Sequence, residues 1–397
     1  MSSRPEIDRA LHPASLCIHA GWRANSARKD VVLPISQAAT FLLDDASYAA
    51  MLEGRIDEAE IYTRLGNPTL DAVQTKLAAL EGAEHALLFA SGMAAIHAAL
   101  LSRVKAGSRV VAQKELYGSS WDLLENFLRP LGVATEFVDL DDAGARKAAL
   151  AKGCDVVYCE SVSNPTLSVA DLPAIAKDAR AAGAITIVDA TFATPLLQKP
   201  LELGADLVVH SATKYLAGHS DVIGGVVLGS RERLKPVYRW LQLAGGCMDP
   251  HAAFLLDRGL KTLPLRMKAH VENACELARF LSRHPKVERV LFPGLESHPS
   301  HGRARTLLAG PGGMVSCVVK GGDAAALACL RRLKLALEAS SLGGVETLVS
   351  APFNTSHARL SPAQRAAAGI PPGFLRISAG IEDARDLALD FEQALAG

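Results

Sequence analysis

Between residues 85 and 229 the chain repeats one theme seven times. The short apolar runs HALLFA, GSRVVAQ, TEFVDL, DVVYCE, AITIVDA, DLVVHSA and GGVVLGS are each closed by turn or small polar residues. Helix-patterned stretches separate the first five: SGMAAIHAALLSRV, SSWDLLENFLRPLG, DAGARKAALAKG and DLPAIAKDARAAG. The runs are continuously apolar rather than alternating, so both faces of each strand must be covered. That leaves an α/β architecture with a buried, mostly parallel sheet and helices on both faces.

The flanks read differently. VVLPISQAATF is extended and broken by proline, and DDASYAAMLEGRIDEAE is a polar helix opened by an aspartate cap. Beyond about residue 250, DPHAAFLLDRGLKTLPLRMKAHVENACELARFLSRHP forms one long helical stretch. VERVLFP, GGMVSCVVKG and DAAALACLRRLKLAL follow it. A chain of 397 residues exceeds one small core. The expected division is an N-terminal arm (1–60), a large domain (61–255) and a smaller C-terminal α+β domain (256–397).

Composition narrows the function. With 42 basic and 42 acidic residues the net charge is zero, so nothing marks a nucleic-acid partner. No apolar run is long enough to span a membrane. The seven cysteines contain no CxxC pair, which argues against a disulfide framework or a metal site. MSSRPEIDRALHPAS lacks the apolar core of a secretory signal, so a cytoplasmic protein with reduced thiols is expected.

Ligands of open α/β sheets bind beyond the carboxyl ends of the strands. Ser91, Gly92 and Met93 follow the first run and open a helix, where unpaired N–H groups suit a phosphate; Ser91 equally suits a plain helix cap. Tyr117 follows the second run and Asn164 the fourth. Asp189 closes the fifth, an otherwise apolar strand, and a buried carboxylate there needs a cationic partner. Ser211, Thr213 and Lys214 follow the sixth. Lys214 is either a solvated loop lysine or a buried amine kept for carbonyl chemistry. Taken together, a phosphate cradle, an aromatic ring, an amide, a carboxylate, two hydroxyls and a lysine are what pyridoxal 5'-phosphate requires.

HSATKYLAGHSDVIGG, YTRLGNPT, FASGMAAI, ELYGS, ESVSNPTL, IVDATFATP, RGLKTLPLR, SLGGVETL and LRISAGIED, in that order, resemble the Cys/Met-metabolism (trans-sulfuration) family of pyridoxal-phosphate enzymes. That family includes cystathionine β- and γ-lyases, cystathionine γ-synthase, methionine γ-lyase and O-acylhomoserine sulfhydrylases. The resemblance implies the fold-type-I architecture, with a seven-stranded sheet and a smaller C-terminal domain. It implies that Lys214 forms a Schiff base with the cofactor and then shuttles protons, and that Asp189 pairs with the pyridinium nitrogen. Tyr117 would stack on the ring and act near the scissile bond. Ser91, Gly92, Met93, Ser211 and Thr213 would hold the phosphate. Asn164, Ser341 and Arg376 would face the substrate, Arg376 as a bidentate clamp on its α-carboxylate, and Asn164 would also lie near the cofactor hydroxyl. Tyr62 and Arg64 would reach the phosphate of a neighbouring subunit, in a dimer doubled to a tetramer.

The reaction is less legible. γ-Acting relatives often carry an arginine five residues after the stacking tyrosine, where this chain has Asp122. They often carry a glutamate before SLGG, where it has Ser340, with Glu338 two residues out of register. Methionine γ-lyases often have a cysteine where Ser119 stands. The expectation is a carbon–sulfur lyase acting on a sulfur amino acid by β- or γ-elimination. The alternative is a γ-synthase or sulfhydrylase using an activated homoserine ester.

Overall fold

The computed structural model describes residues 11–22, 30–53, 59–354, 365 and 369–396. All seven expected runs are strands of one sheet: β1 (His85–Phe89), β2 (Arg109–Gln113), β3 (Ala134–Val138), β4 (Val156–Glu160), β5 (Ile185–Asp189), β6 (Leu207–His210) and β7 (Gly225–Gly229). Their spatial order is β1-β7-β6-β5-β4-β2-β3. β7 runs antiparallel to β1 and β6, and the other pairs are parallel. The continuous apolarity has the expected cause. In β4, Val156 and Tyr158 enter a core shared with the helix Gly92–Leu101, while Val157 and Cys159 enter another shared with the helix Leu172–Ala181. Each fully buried side chain of this kind contributes roughly 1.5–3 kcal/mol.

The order places β2 between β3 and β4, so the chain turns one way after β2 and the other way after β4. Leu123 and Leu124, after β2, pack into the first core; Leu172 and Ile175, after β4, pack into the second. The two connections therefore leave on opposite faces and open a crevice between the ends of β2 and β4, a topological switch point of the kind that binds ligands.

A second sheet comprises β8 (Val287–Leu291), β9 (Met314–Val319), β10 (Leu337–Glu338), β11 (Leu348–Ser350) and β12 (Phe374–Ser378), in the order β10-β11-β12-β9-β8. Only β10 and β11 pair in parallel. The strands around TLVS and FLRIS carried no clear signal in the sequence, because each is short and β12 contains an arginine. That arginine, Arg376, is the one that matters below.

Three local expectations change. The stretch from Pro250 to Arg283 is two helices, Pro250–Leu260 and Leu263–Arg283, interrupted at Lys261–Thr262. Pro264, in the first turn of the second helix, has no N–H to continue the first. The helix opened by Asp44 does form, with Asp44 Oδ1 accepting the Ser47 N–H at 2.8 Å, but it ends at Leu52; residues 54–58 lie outside the described set. The segment after Tyr117 starts as a helix, Gly118–Asp122, and widens into a π-helical stretch, Leu123–Leu128. Among the described residues no helix is long and apolar enough to cross a membrane.

Candidate active site

At the end of β1, Ser91 caps the helix Gly92–Leu101: its Oγ accepts the Ala94 N–H at 3.0 Å. The capping reading of Ser91 is thus what its oxygen does in this structure. The N–H groups of Gly92 and Met93 make no hydrogen bond among the described residues and open beside Ser211. A Cβ on Gly92 would lie 2.8 Å from both Cβ and Oγ of Ser211. Only glycine lets the helix start approach the turn after β6 this closely, which gathers free N–H donors and a hydroxyl at one point. Thr213 is partly committed, its Oγ1 accepting the Gly224 N–H at 2.9 Å.

Asp189 ends β5 and is 9% exposed. Its Oδ1 accepts the Thr191 N–H at 2.9 Å. Burial raises its pKa, and hydrogen bonding from Thr191 opposes that rise. No cation stands within ion-pair distance among the described residues, although Asp189 carries a buried carboxylate. Thr191 also ties this strand to the next: its Oγ1 accepts the Ser211 N–H at 2.8 Å.

Lys214 is half-buried, which removes the solvated-lysine alternative. Its Nζ donates to Ser341 Oγ at 2.6 Å. Burial and the neighbouring Arg376 push its pKa down to about 8. Its turn is held from below by Arg266, which donates to Tyr215 O at 2.7 Å and Gly259 O at 2.8 Å. Ser341 adopts φ 83°, a left-handed conformation uncommon for a residue with a Cβ. So placed, its hydroxyl faces Lys214 while its carbonyl accepts Arg376 Nη2 at 2.8 Å. Gly343, at φ 77°, has no room for a side chain, since a Cβ would sit 2.6 Å from Tyr215 N.

Arg376 extends from β12 and is 7% exposed. Nη1 donates to Asn164 Oδ1 at 3.2 Å, and the buried Nε has no partner. Burial lowers its pKa to about 10. Tyr117 opens the crevice from the β2 side with 39% of its surface exposed. The structure thus joins Lys214, Ser341, Arg376 and Asn164 by direct contacts, and Gly92, Ser211, Thr191 and Asp189 by a second set.

Tyr62 and Arg64 stand apart from both sets. Arg64 lies over the Tyr62 ring, 5.6 Å from its centroid, and donates to Gln242 O. Asp122 Oδ1 accepts Asn126 Nδ2 at 2.6 Å within its own helix, and Ser340 and Glu338 are exposed.

The sequence profile of the Cys/Met metabolism PLP-dependent enzymes matches residues 14–396. The chain belongs to this family. It is 42% identical to an L-methionine gamma-lyase of Fusobacterium nucleatum subsp. polymorphum over 382 residues, covering 95% of this chain and 96% of that one. It is equally, 42%, identical to a cystathionine beta-lyase of Coxiella burnetii, covering 98% and 99%. The structure of a cystathionine gamma-synthase from Xanthomonas oryzae pv. oryzae, in complex with aminoacrylate and cysteine, superposes with a TM-score of 0.92 at 38% identity, covering 97% and 98%. The fold is accordingly fold type I, and the protein is a pyridoxal-phosphate enzyme of sulfur amino-acid metabolism.

The residues present fit that cofactor on their own terms. A free pair of helix N–H groups beside a serine hydroxyl suits a phosphate. An unpaired buried carboxylate suits a pyridinium N–H. An amine with pKa about 8 is neutral often enough to attack an aldehyde. An unpaired arginine beside it suits a carboxylate. Sequence reasoning assigned no role to Thr191, Arg266 or Glu160. Glu160 had a visible signal: it closes DVVYCE just as Asp189 closes AITIVDA. Arg266 closes the motif RGLKTLPLR, but that resemblance gave it no role, and one arginine in a long helix looks like surface.

Proposed function

We propose that the protein is a carbon–sulfur lyase that removes the sulfur substituent of a cystathionine-, methionine-, homocysteine- or cysteine-type amino acid by β- or γ-elimination. One observation carries this reading: Lys214 Nζ, with pKa about 8, rests on a neutral hydroxyl beside an arginine that has no carboxylate partner. That is a base next to an arginine fork held by an amide and a carbonyl oxygen.

When bound, pyridoxal phosphate supplies an electron sink for the α-carbon of the amino acid. The chain supplies the rest. Arg376 receives the substrate α-carboxylate through its fork, with Asn164 and the Ser341 carbonyl fixing the fork's plane. This directs the α-C–H toward Lys214. Neutral Lys214 Nζ takes the α-proton and carries it to the carbon or sulfur that needs it; Ser341 Oγ holds the amine between transfers. Asp189, oriented by Thr191, stabilises positive charge at the pyridine nitrogen. Gly92, Met93, Ser211 and Thr213 anchor the phosphate, with Ser91 shaping the helix start, and Tyr117 stacks and serves as acid or base at the leaving group.

The same reading makes residues 61–255 the cofactor-binding unit and residues 256–397 the unit that brings Arg376, with the arm before them lying on a neighbouring subunit. Tyr62 and Arg64 serve that neighbour's phosphate, in a dimer of dimers. Support comes from the exposed apolar side chains of Val31, Leu42 and Leu52, at 94%, 97% and 90%, on a segment a lone chain leaves uncovered. Seven thiols without a disulfide support a reducing, cytoplasmic setting.

Likeness to the γ-synthase structure favours γ-replacement as the second reading. Incubation with cystathionine, methionine, homocysteine and O-acylhomoserine, each with and without added thiol, separates the two. Keto acid, ammonia and free thiol without any acceptor are expected. A thioether formed only with added thiol, and no keto acid from any substrate, would establish replacement instead.

A further inference from the structure

Glu160 is the last residue of β4 and only 5% exposed. No cation lies within ion-pair distance among the described residues, and no metal-type cluster of side chains surrounds it. Its two oxygens are both occupied by main chain. Oε1 accepts the Tyr117 N–H at 2.5 Å, and Oε2 accepts the Asn164 N–H at 3.0 Å. Its own N–H donates to Gln113 Oε1 at 2.9 Å, from the last residue of β2.

The position in the topology gives these contacts their meaning. The β2–β4 ladder ends at Ala112↔Tyr158. Past that point the two connections diverge to opposite faces, and one carries Tyr117 while the other carries Asn164. No main-chain pairing joins them. Side chains take over: Gln113 first, then Glu160 with one oxygen for each loop. Asn164 in turn accepts from Arg376, which donates to Ser341, which receives Lys214. One carboxyl thus stands at the root of a chain of contacts leading to the amine.

We propose that Glu160 is a positioning residue of this site, clipping the loop of Tyr117 to the loop of Asn164 so that the stacking ring and the Arg376 clamp keep a fixed relation. This rests on the pyridoxal-phosphate reading of the site and adds to it. Glu160 pairs in register with Asp189, and burial followed by that neighbour pushes its pKa up to about 8. The Tyr117 and Asn164 N–H groups oppose that rise, each holding one oxygen as an acceptor. Glutamine cannot replace it fully, because its amide offers one acceptor and turns N–H₂ toward the other N–H.

The test compares wild type with Glu160→Gln in four readings: melting of the apo form, cofactor affinity, the visible circular dichroism of the bound cofactor, and kcat and KM. The apo form should melt close to wild type. The dichroic band should change and cofactor should bind more weakly. kcat/KM should fall roughly 10- to 100-fold, as displacement of a site by about 1 Å does. In a Tyr117→Ala background the same change should have less than half that effect on kcat/KM, because the N–H that Glu160 holds remains but the ring it positions is gone. Should Glu160→Gln not fold, Glu160→Asp, which keeps both acceptors but falls a methylene short, is held to the same readings. A fully loaded variant with wild-type dichroism and kcat/KM overturns the inference, as does full additivity with Tyr117→Ala. A wild-type protein that takes up no cofactor overturns the reading of the site and this inference with it. A normal wild-type band with an indifferent variant overturns only the inference.

Discussion

Replacing Arg376 by methionine separates a substrate clamp from a brace of the fold. The guanidinium is 7% exposed and meets no carboxylate among the described residues. Keeping it charged there lowers its pKa from 12.5 to about 10. At about 1.4 kcal/mol per pKa unit that is a penalty of roughly 3 kcal/mol. Two hydrogen bonds oppose it, to Asn164 at 3.2 Å and Ser341 at 2.8 Å, each worth roughly 1.5–3 kcal/mol with a charged donor. The terms offset to within about 3 kcal/mol, and methionine fills much of the vacated volume. Apo stability should therefore move little in either direction. Substrate binding should move a great deal, since loss of one partner of a buried charged pair costs about 2–5 kcal/mol. That is roughly a 30- to several-thousand-fold rise in KM for every amino-acid substrate. Arg376→Lys should rescue little, because an ammonium has no fork. Cofactor occupancy, melting and KM on one preparation decide the matter. A loaded, stable variant with unchanged KM removes Arg376 from substrate binding. A variant that loses more than about 5 kcal/mol of stability, beyond both hydrogen bonds and the lost packing, shows a brace.

Borohydride treatment of the yellow holoprotein should fix the cofactor to a single peptide containing Lys214; label on any other lysine refutes the assignment. Lys214 has a folded pKa lowered to about 8 from 10.5, so the folded apoprotein binds that proton less tightly than the unfolded chain. Apo stability should therefore gain as pH rises from about 8 toward 10.5, and the rate of cofactor capture should climb with pH and level just above 8. A plateau reached only near 10.5, followed by stopped-flow absorbance, contradicts a depressed pKa. Gly92→Ala drives a Cβ to within 2.8 Å of Ser211 and should weaken phosphate and cofactor binding by about tenfold or more, roughly 1–3 kcal/mol of overpacking. In a Ser211→Gly background, which lacks the clashing atoms and the hydroxyl alike, adding Gly92→Ala should weaken cofactor binding less than it does in wild type; an equal cost in both backgrounds refutes the steric account. Mixed Lys214→Ala and Arg64→Ala subunits should regain partial activity on exchange, whereas full activity from an isolated monomer refutes shared sites.

The large sheet was readable because burial on both faces writes itself into local composition: seven apolar runs gave seven strands. The candidate site residues stood out for a related reason. A polar residue ending an apolar strand, as in Asp189, or following one, as in Lys214, stands out against its neighbours. What escaped was the tertiary layer that orders those residues. Arg266 hydrogen-bonds the carbonyls of Tyr215 and Gly259, yet its sequence context is an ordinary amphipathic helix. The strand carrying Arg376 is five residues long and buried throughout, and its pairing with β9 and β11 depends on segments far away in the chain. The break at Lys261–Thr262 was marked by Pro264, but periodicity on both sides masked it.

The choice between β- and γ-chemistry was not readable, and the geometry explains why relatives with different activities can be equally similar to this chain. In the proposed mechanism both reactions begin with Arg376 holding the carboxylate and Lys214 removing the α-proton. They part after that: the ammonium either gives its proton to a leaving group on Cβ, or passes it to another carbon and, neutral again, takes a proton from Cβ. Those positions are one bond apart, the sulfur on Cβ in the first case and Cβ in the second. Lys214 has a four-carbon stem, and among the described residues its amine makes one hydrogen bond, to Ser341, so the proposed mechanism lets it serve either. In that reading the outcome is decided by where the substrate side chain lies. Asp122 accepts a hydrogen bond from Asn126 at the point where the helix Gly118–Asp122 widens into the π-helical stretch Leu123–Leu128. A single identity at position 122 therefore says less than the pitch of the helix that carries it. Exchanging Asp122 for arginine alone should leave the ratio of β- to γ-products largely unchanged, as measured by pyruvate against 2-oxobutanoate from cystathionine. A wholesale switch from that one substitution would show that charge at this position, and not the setting of the helix, selects the reaction.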